Sequence, residues 1–228
     1  MTAGSRERIL EAVRSGLVRA VLPDSNESAP RWSPPSRGES VEALVETFSA
    51  ALSALSGHVH HAVTMPEIAR TIADVAARHG ATSYVSWDEE HLACPGLLAA
   101  LGARGLARIT YDLPADPEQR LRASQELAAV GLGLTGARAA IADSASLALV
   151  SGPGRGRLVS LLPPVHVAIV CRRAIRPALA ALIAEDPGLL AAGSNVVLVS
   201  GPSRTADIEM TLSHGVHGPK HVHVILTP

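Results

Sequence analysis

Apolar positions along this chain change their spacing from segment to segment, and each spacing predicts an element. Between Ser5 and Ala20, the residues Ile9, Val13 and Leu17 recur every fourth position, which is helical. Val41–Leu55 repeats the pattern with Leu44, Val45, Phe48, Leu52 and Leu55 on one face. His58–Val63 reads as a strand. A helix follows over Met65–Arg78, with Pro66 in its first turn and Gly80 just past its end. Thr82–Ser86 is a short β-type run, Pro95–Leu101 a short helix stopped by Gly102, and Ala107–Thr110 a strand. Asp116 is placed to cap a helix that starts at Pro117 and runs to about Val130. This alternation predicts an α/β fold built on a mainly parallel central sheet with helices on both faces.

The second half carries shorter apolar runs. Ala137–Ala142 and Leu147–Val150, separated by Asp143–Ser146, predict an antiparallel hairpin. Val165–Val170 reads as a buried strand, Ile175–Ala184 as a helix and Asn195–Val199 as a strand. Thr205–Leu212 reads as a short helix, and Val222–Leu226 as a last strand. The stretch Pro23–Gly38 has no periodicity and is rich in Pro, Ser and charge, so it reads as an exposed linker. The organisation expected is an N-terminal helix and linker over residues 1–39, then one α/β domain over 40–228.

Composition narrows the function. Net charge is −1, which excludes nucleic acid and anionic membrane as general partners, since both need a basic excess. No apolar run reaches the roughly 18 residues that span a bilayer, and the first residues lack a signal-type apolar core. A cytoplasmic protein is expected. Aromatics are only 2%, so the core must be aliphatic. Cys94 and Cys171 are far apart and too few for an iron–sulfur cluster or a cysteine zinc site. Trp32, a large aromatic inside the linker, points to subunit contact and a homo-oligomer.

One pentapeptide occurs twice after apolar runs: Ser-Gly-Pro-x-Arg, at Ser151–Arg155 and at Ser200–Arg204. A strand ending in a Gly-Pro turn presents backbone N–H groups at a sheet edge, where open α/β folds bind ligands. In the first copy, Ser151, Gly152, Arg155 and Arg157 form a glycine–arginine loop suited to a phosphate or carboxylate. A plain flexible turn with solvated arginines explains the same residues. In the second copy, Ser203 or Thr205 would cap the following helix, with Asp207 and Glu209 in its first turn. Capping chemistry accounts for those residues, but not for Arg204, a cation at the positive end of a helix dipole. Both loops are expected to open onto one cleft.

There are ten histidines, clustered as His58, His60, His61 and as His214, His217, His221, His223. His221 and His223 share a strand face, and a His-x-His pair can bind zinc. No carboxylate or cysteine stands at ligand spacing, so no metal is expected. His217, in the tight sequence GVHGPK, is the histidine placed best for function. No Gly-x-Ser-x-Gly elbow is present, and neither cysteine sits in a nucleophile signature.

Three stretches carry a resemblance: TGARAAIADSASLAL, GRGRLVSLLPPVHVAIV and VSGPSRTADIEMTLSHGVHGPKHVHVIL. Together they resemble the lactate-utilisation protein C family, also called the LUD domain. The resemblance implies a fold like that of the sugar-phosphate isomerase and CoA-transferase superfamily. It also implies an accessory subunit of a three-protein system that oxidises L-lactate, with iron–sulfur clusters on partner subunits and no cofactor on this chain. Asp207, Glu209 and His217 would then handle protons or orient the ligand. Ser151, Gly152, Arg155, Arg157, Ser203, Arg204 and Thr205 would bind a small carboxylate or phosphate. The rival reading is a stand-alone enzyme acting on a sugar phosphate or acyl-CoA, with Glu209 as base or nucleophile. One departure stands out: where the family has Thr-Gly-Thr after an acidic residue, this chain has Ser144-Ala145-Ser146, without the hairpin glycine.

Overall fold

The computed structural model describes residues 3–19, 38–110, 114–206, 212–214 and 218–228, with backbone only for 3, 4, 19, 204–206 and 212–214. The chain divides into two compact units, Met1–Ser33 and Pro34–Pro228. In the first, helix α1 (Ala3–Arg19) keeps Ile9, Val13 and Leu17 exposed.

The second unit alternates helices and strands: α2 (Val41–Ala54), β1 (His58–His61), α3 (Met65–Arg78), β2 (Ser83–Ser86), α4 (Leu97–Gly102), β3 (Ala107–Arg108) and α5 (Pro117–Ala129). Helix starts follow capping chemistry. Ser40 accepts from the Ala43 N–H, and Asp116 from that of Gln119. Thr64 and Glu67 form a reciprocal capping box at α3. The strands β4 (Leu132–Gly136), β5 (Ala139–Ile141), β6 (Ser146–Ser151), β7 (Val165–Cys171) and β8 (Ile175–Arg176) come next. They are followed by α6 (Leu179–Glu185), β9 (Asn195–Val199), β10 (Arg204–Ala206), β11 (Leu212–His214) and β12 (His221–Thr227).

Six strands form one parallel sheet in the order β1-β12-β7-β4-β2-β3. A second sheet, β8-β5-β6-β9, contains the expected hairpin, β5 antiparallel to β6. The fold is therefore α/β with a mainly parallel central sheet. Its central strands β4 and β7 are buried almost end to end, and Phe48, Leu52, Ile72, Leu101 and Leu134 fill the core around them.

Three sequence expectations need correction. First, the apolar pattern assigns no element to LGLTG, which the fold makes the central strand β4. Gly133 is required there by close approach: a Cβ would stand 1.9 Å from the Val159 carbonyl oxygen. Second, Ile175–Ala184 is not one helix. Pro177 disfavours helical backbone before it, and Ile175 and Arg176 join β5 as β8 instead. Third, Arg204–Ala206 and Leu212 are strand, not helix, because β10 and β11 pair as an antiparallel hairpin. A cation at a helix N-terminus, the anomaly of the helical reading, does not arise at Arg204 in a strand.

Two buried features matter later. Ala145, at the turn that lacks glycine, takes φ 50° and is fully buried. His166 on β7 is fully buried, bonded to Thr135 Oγ1 at 2.8 Å, and burial lowers its pKa to about 4.

Gly133→Ala is expected to lose about 3 kcal/mol of stability or more, since backbone must move to admit the methyl. Urea unfolding measures it, and a loss below about 1 kcal/mol would show that the segment over β4 is loosely packed.

Candidate functional site

At its C-terminal end β4 leaves the parallel sheet and continues into the second one. The Ala137 N–H donates to Ile169 of β7 at 2.9 Å, and the next N–H, Arg138, donates to Ala148 of β6 at 2.9 Å. This corner lies at the C-terminal edge of the parallel strands, the edge that open α/β folds use. A cavity of about 170 Å3 opens there, lined by Trp87, His91, Ala137, Arg138, Val150 and Arg155.

The first Ser-Gly-Pro-x-Arg copy builds one wall. β6 ends at Ser151, and Gly152–Arg155 closes a tight turn with the Arg155 N–H on the Gly152 carbonyl at 2.9 Å and the reverse bond at 3.1 Å. Pro153 followed by Gly154 at φ 68° is the type II pattern. A side chain at Gly154 would also put its Cβ 2.6 Å from Asp88 Oδ2.

The opposite wall follows β2. Trp87 is buried, and its Nε1 donates to the Gly156 carbonyl at 3.0 Å. The Asp88 N–H donates to the Gly154 carbonyl at 2.9 Å, so the two walls are tied by backbone. Arg108 at the end of β3 donates to Ser86 Oγ at 3.1 Å and reaches Asp88 Oδ1 at 3.4 Å. His91 lies 3.3 Å from the Glu90 carboxylate. Arg138, whose stem lines the cavity, is held by Asp186 through Nε at 3.1 Å and Nη2 at 2.8 Å.

Arg155 differs from these neighbours. Its Nε is buried and has no hydrogen-bond acceptor. A buried N–H of a charged group left unpaired costs several kcal/mol, so such a group is a natural anchor for an anion. Chemically, the pocket offers a guanidinium donor, an imidazole for proton exchange at His91, and an aromatic wall at Trp87.

The two Ser-Gly-Pro copies do not share this cleft. β6 and β9 are antiparallel, with Ser151 opposite Asn195 and Leu147 opposite Val199. The copy after Val199 therefore emerges beside the start of β6, where Ser200 Oγ meets Ser146 Oγ at 2.6 Å. Five residues of strand, roughly 17 Å, separate it from the first copy. Its Ser203 N–H donates to the Pro219 carbonyl, next to the N-terminal end of β12.

Of the residues picked from sequence, Arg155 lines the cavity, and Ser151 and Gly152 form the turn that carries it. Arg157 is exposed on a single helical turn, Arg157–Ser160, outside the lining. Arg204 and Thr205 are described as backbone in β10, and Asp207, Glu209 and His217 lie outside the described residues. Sequence reasoning missed Trp87, His91 and Arg138. The available signal was position: Trp87 directly follows a strand of the parallel sheet, and Arg138 follows another. Among the described residues, no helix is long and apolar enough to cross a membrane.

Comparison with known proteins agrees with this architecture. Residues 45–227 match the LUD domain. A lactate utilization protein C from Geobacillus sp. (strain WCH70) is 31% identical over 244 residues, covering 99% of this chain and 97% of that protein. Another lactate utilization protein C, from Exiguobacterium sp. (strain ATCC BAA-1283 / AT1b), is 42% identical over 109 residues, 46% of this chain and 47% of that protein. A DUF162 family protein from Deinococcus radiodurans has a similar fold, with a TM-score of 0.59 over 84% of this chain and all of that one, at 19% identity. With most of its length inside the match, the chain belongs to the LUD domain family, alongside the lactate utilization C proteins.

Proposed function

We propose that this chain serves lactate utilisation by binding a small carboxylate or phosphate anion at the corner between its two sheets. The observation that carries the site is Arg155 Nε, buried without an acceptor in the wall of a 170 Å3 cavity. The tie to lactate rests on relatives named lactate utilization protein C, one of them aligned over 99% of the chain. In this reading the protein is an accessory subunit. It holds the anion, and iron–sulfur partners carry the electrons. Arg155 anchors the charge, Trp87 shields the anion from water, and His91 stands where a proton can be exchanged.

Calorimetric titration with L-lactate, pyruvate and inorganic phosphate tests the site. Arg155→Ala is expected to weaken the bound anion by about 2 kcal/mol, roughly thirtyfold in Kd, with resistance to urea kept or raised because the unpaired N–H is gone. Equal affinity in wild type and variant would remove Arg155 from the site. Purification of the tagged chain from its own cells, with iron and sulfide analysis of what accompanies it, tests the accessory role. An iron–sulfur protein is expected in the eluate. Turnover of a sugar phosphate or acyl-CoA by the chain alone would overturn the accessory reading.

A further inference from the structure

At the other edge of the parallel sheet, five imidazoles crowd together. β1 is the edge strand, and it pairs with β12 so that His58 stands opposite His223 and His60 opposite Ile225. The rings of His58 and His60 lie 4.7 and 5.3 Å from that of His223, nearly parallel to it. His79, just past α3, approaches from the helix layer at 5.2 Å from His223 and 4.2 Å from His221. His223 is fully buried at the centre, and both its nitrogens are taken: Nδ1 by His60 Nε2 at 3.0 Å, Nε2 by His79 Nε2 at 3.1 Å. Among the described residues, no three such groups converge as a metal site requires.

The proton count of this array is constrained. Each nitrogen–nitrogen contact holds one proton, since two would face each other and none would leave no bond. The three rings have two contacts and two outer nitrogens, so they hold at most four protons, one more than three neutral rings carry. A second added proton must break a contact. The surroundings also oppose charge. From β1, His58 and His60 face the cluster, with His61 next to His60 in the strand; from β12, His221; from the end of α3, Arg78 and His79; β7 contributes uncharged Val165 and Val167. Burial, before the neighbouring charges, lowers the pKa of His60 and His79 and takes that of His223 to about 3.

The edge strand also carries a second contact. Leu55, between α2 and β1, packs on Gly201 of the second Ser-Gly-Pro turn, where a Cβ would stand 3.1 Å from that of the leucine. We propose that the histidine array is an acid-released latch: with neutral rings it holds β1 and the Leu55–Gly201 contact in place, and protonation releases both together.

The sign follows from linkage. A histidine freed from the array protonates near its ordinary value of about 6.5, whereas in the array it resists. Below that pH the open form binds more protons, and its population rises roughly tenfold per pH unit for each group held neutral. Above it the latch is unaffected by pH.

Hydrogen exchange of the full chain, followed by mass spectrometry at about pH 7.5, 6.5 and 5.5 and corrected for intrinsic rates, tests this. Peptides spanning residues 52–62 and 199–203 are expected to lose protection at least tenfold more than those spanning 132–136 and 165–171 between the two lower pH values. Equal loss in all four regions would overturn the latch, because it is the result of global unfolding driven by His166. In His60→Gln/His79→Gln the selective loss is expected to shrink severalfold. Should that variant fail to fold, His79→Gln alone, which removes one contact, is expected to shrink it in part. An undiminished selective loss in a folded variant would overturn the assignment to these rings. So would abolition of the acid response by stoichiometric zinc, which would make the nitrogens a ligand set.

Discussion

Two consecutive backbone N–H groups divide this molecule between its sheets. Ala137 stays in register with β7, and Arg138 turns to β6. Side chains alternate along a strand, but a backbone that changes partners at a corner must also open a gap between the two sheets. The cavity occupies that gap. Its walls are fixed by bonds to main-chain carbonyls, from the Asp88 N–H to Gly154 and from the Trp87 indole Nε1 to Gly156. This leaves the arginine on the turn free of structural duty. Arg108 and Arg138 are committed to carboxylates, whereas Arg155 Nε is not bonded.

Much of this could be read from the chain, and the failures have physical causes. Helix α2 was legible from its apolar spacing, α3 from its first-turn proline and glycine stop, and α5 from its Asp116 cap. The hairpin β5–β6 was legible from two short runs and a polar turn. Of the two central strands, β7 was legible as an apolar run and β4 was not: its Gly133 is set by close approach to Val159, far along the chain, which local propensity does not contain. The candidate site divides in the same way. Arg155 was found because its turn chemistry is local. Trp87, His91 and Arg138 come together only when β2 and β4 lie side by side, so no spacing in the sequence could join them.

The repeated pentapeptide shows how a word can mislead. Both copies end strands, and ending a strand is what Ser-Gly-Pro does well. Because the two strands run antiparallel to each other, the same word was delivered to opposite ends of the sheet. Its environments there are unlike: one faces a cationic pocket, the other the leucine beneath an edge strand rich in imidazole. The electrostatic character of the two edges differs accordingly, with guanidinium groups at one and, at the other, imidazoles among which burial lowers the pKa of His60, His79 and His223.

Ala145 has a different kind of consequence. Its left-handed backbone costs an alanine about 1 kcal/mol, and its fully buried methyl returns about 0.8 kcal/mol. A glycine would relieve the first and forgo the second. The two residues are therefore nearly equivalent at this turn, and selection acting on stability cannot distinguish them.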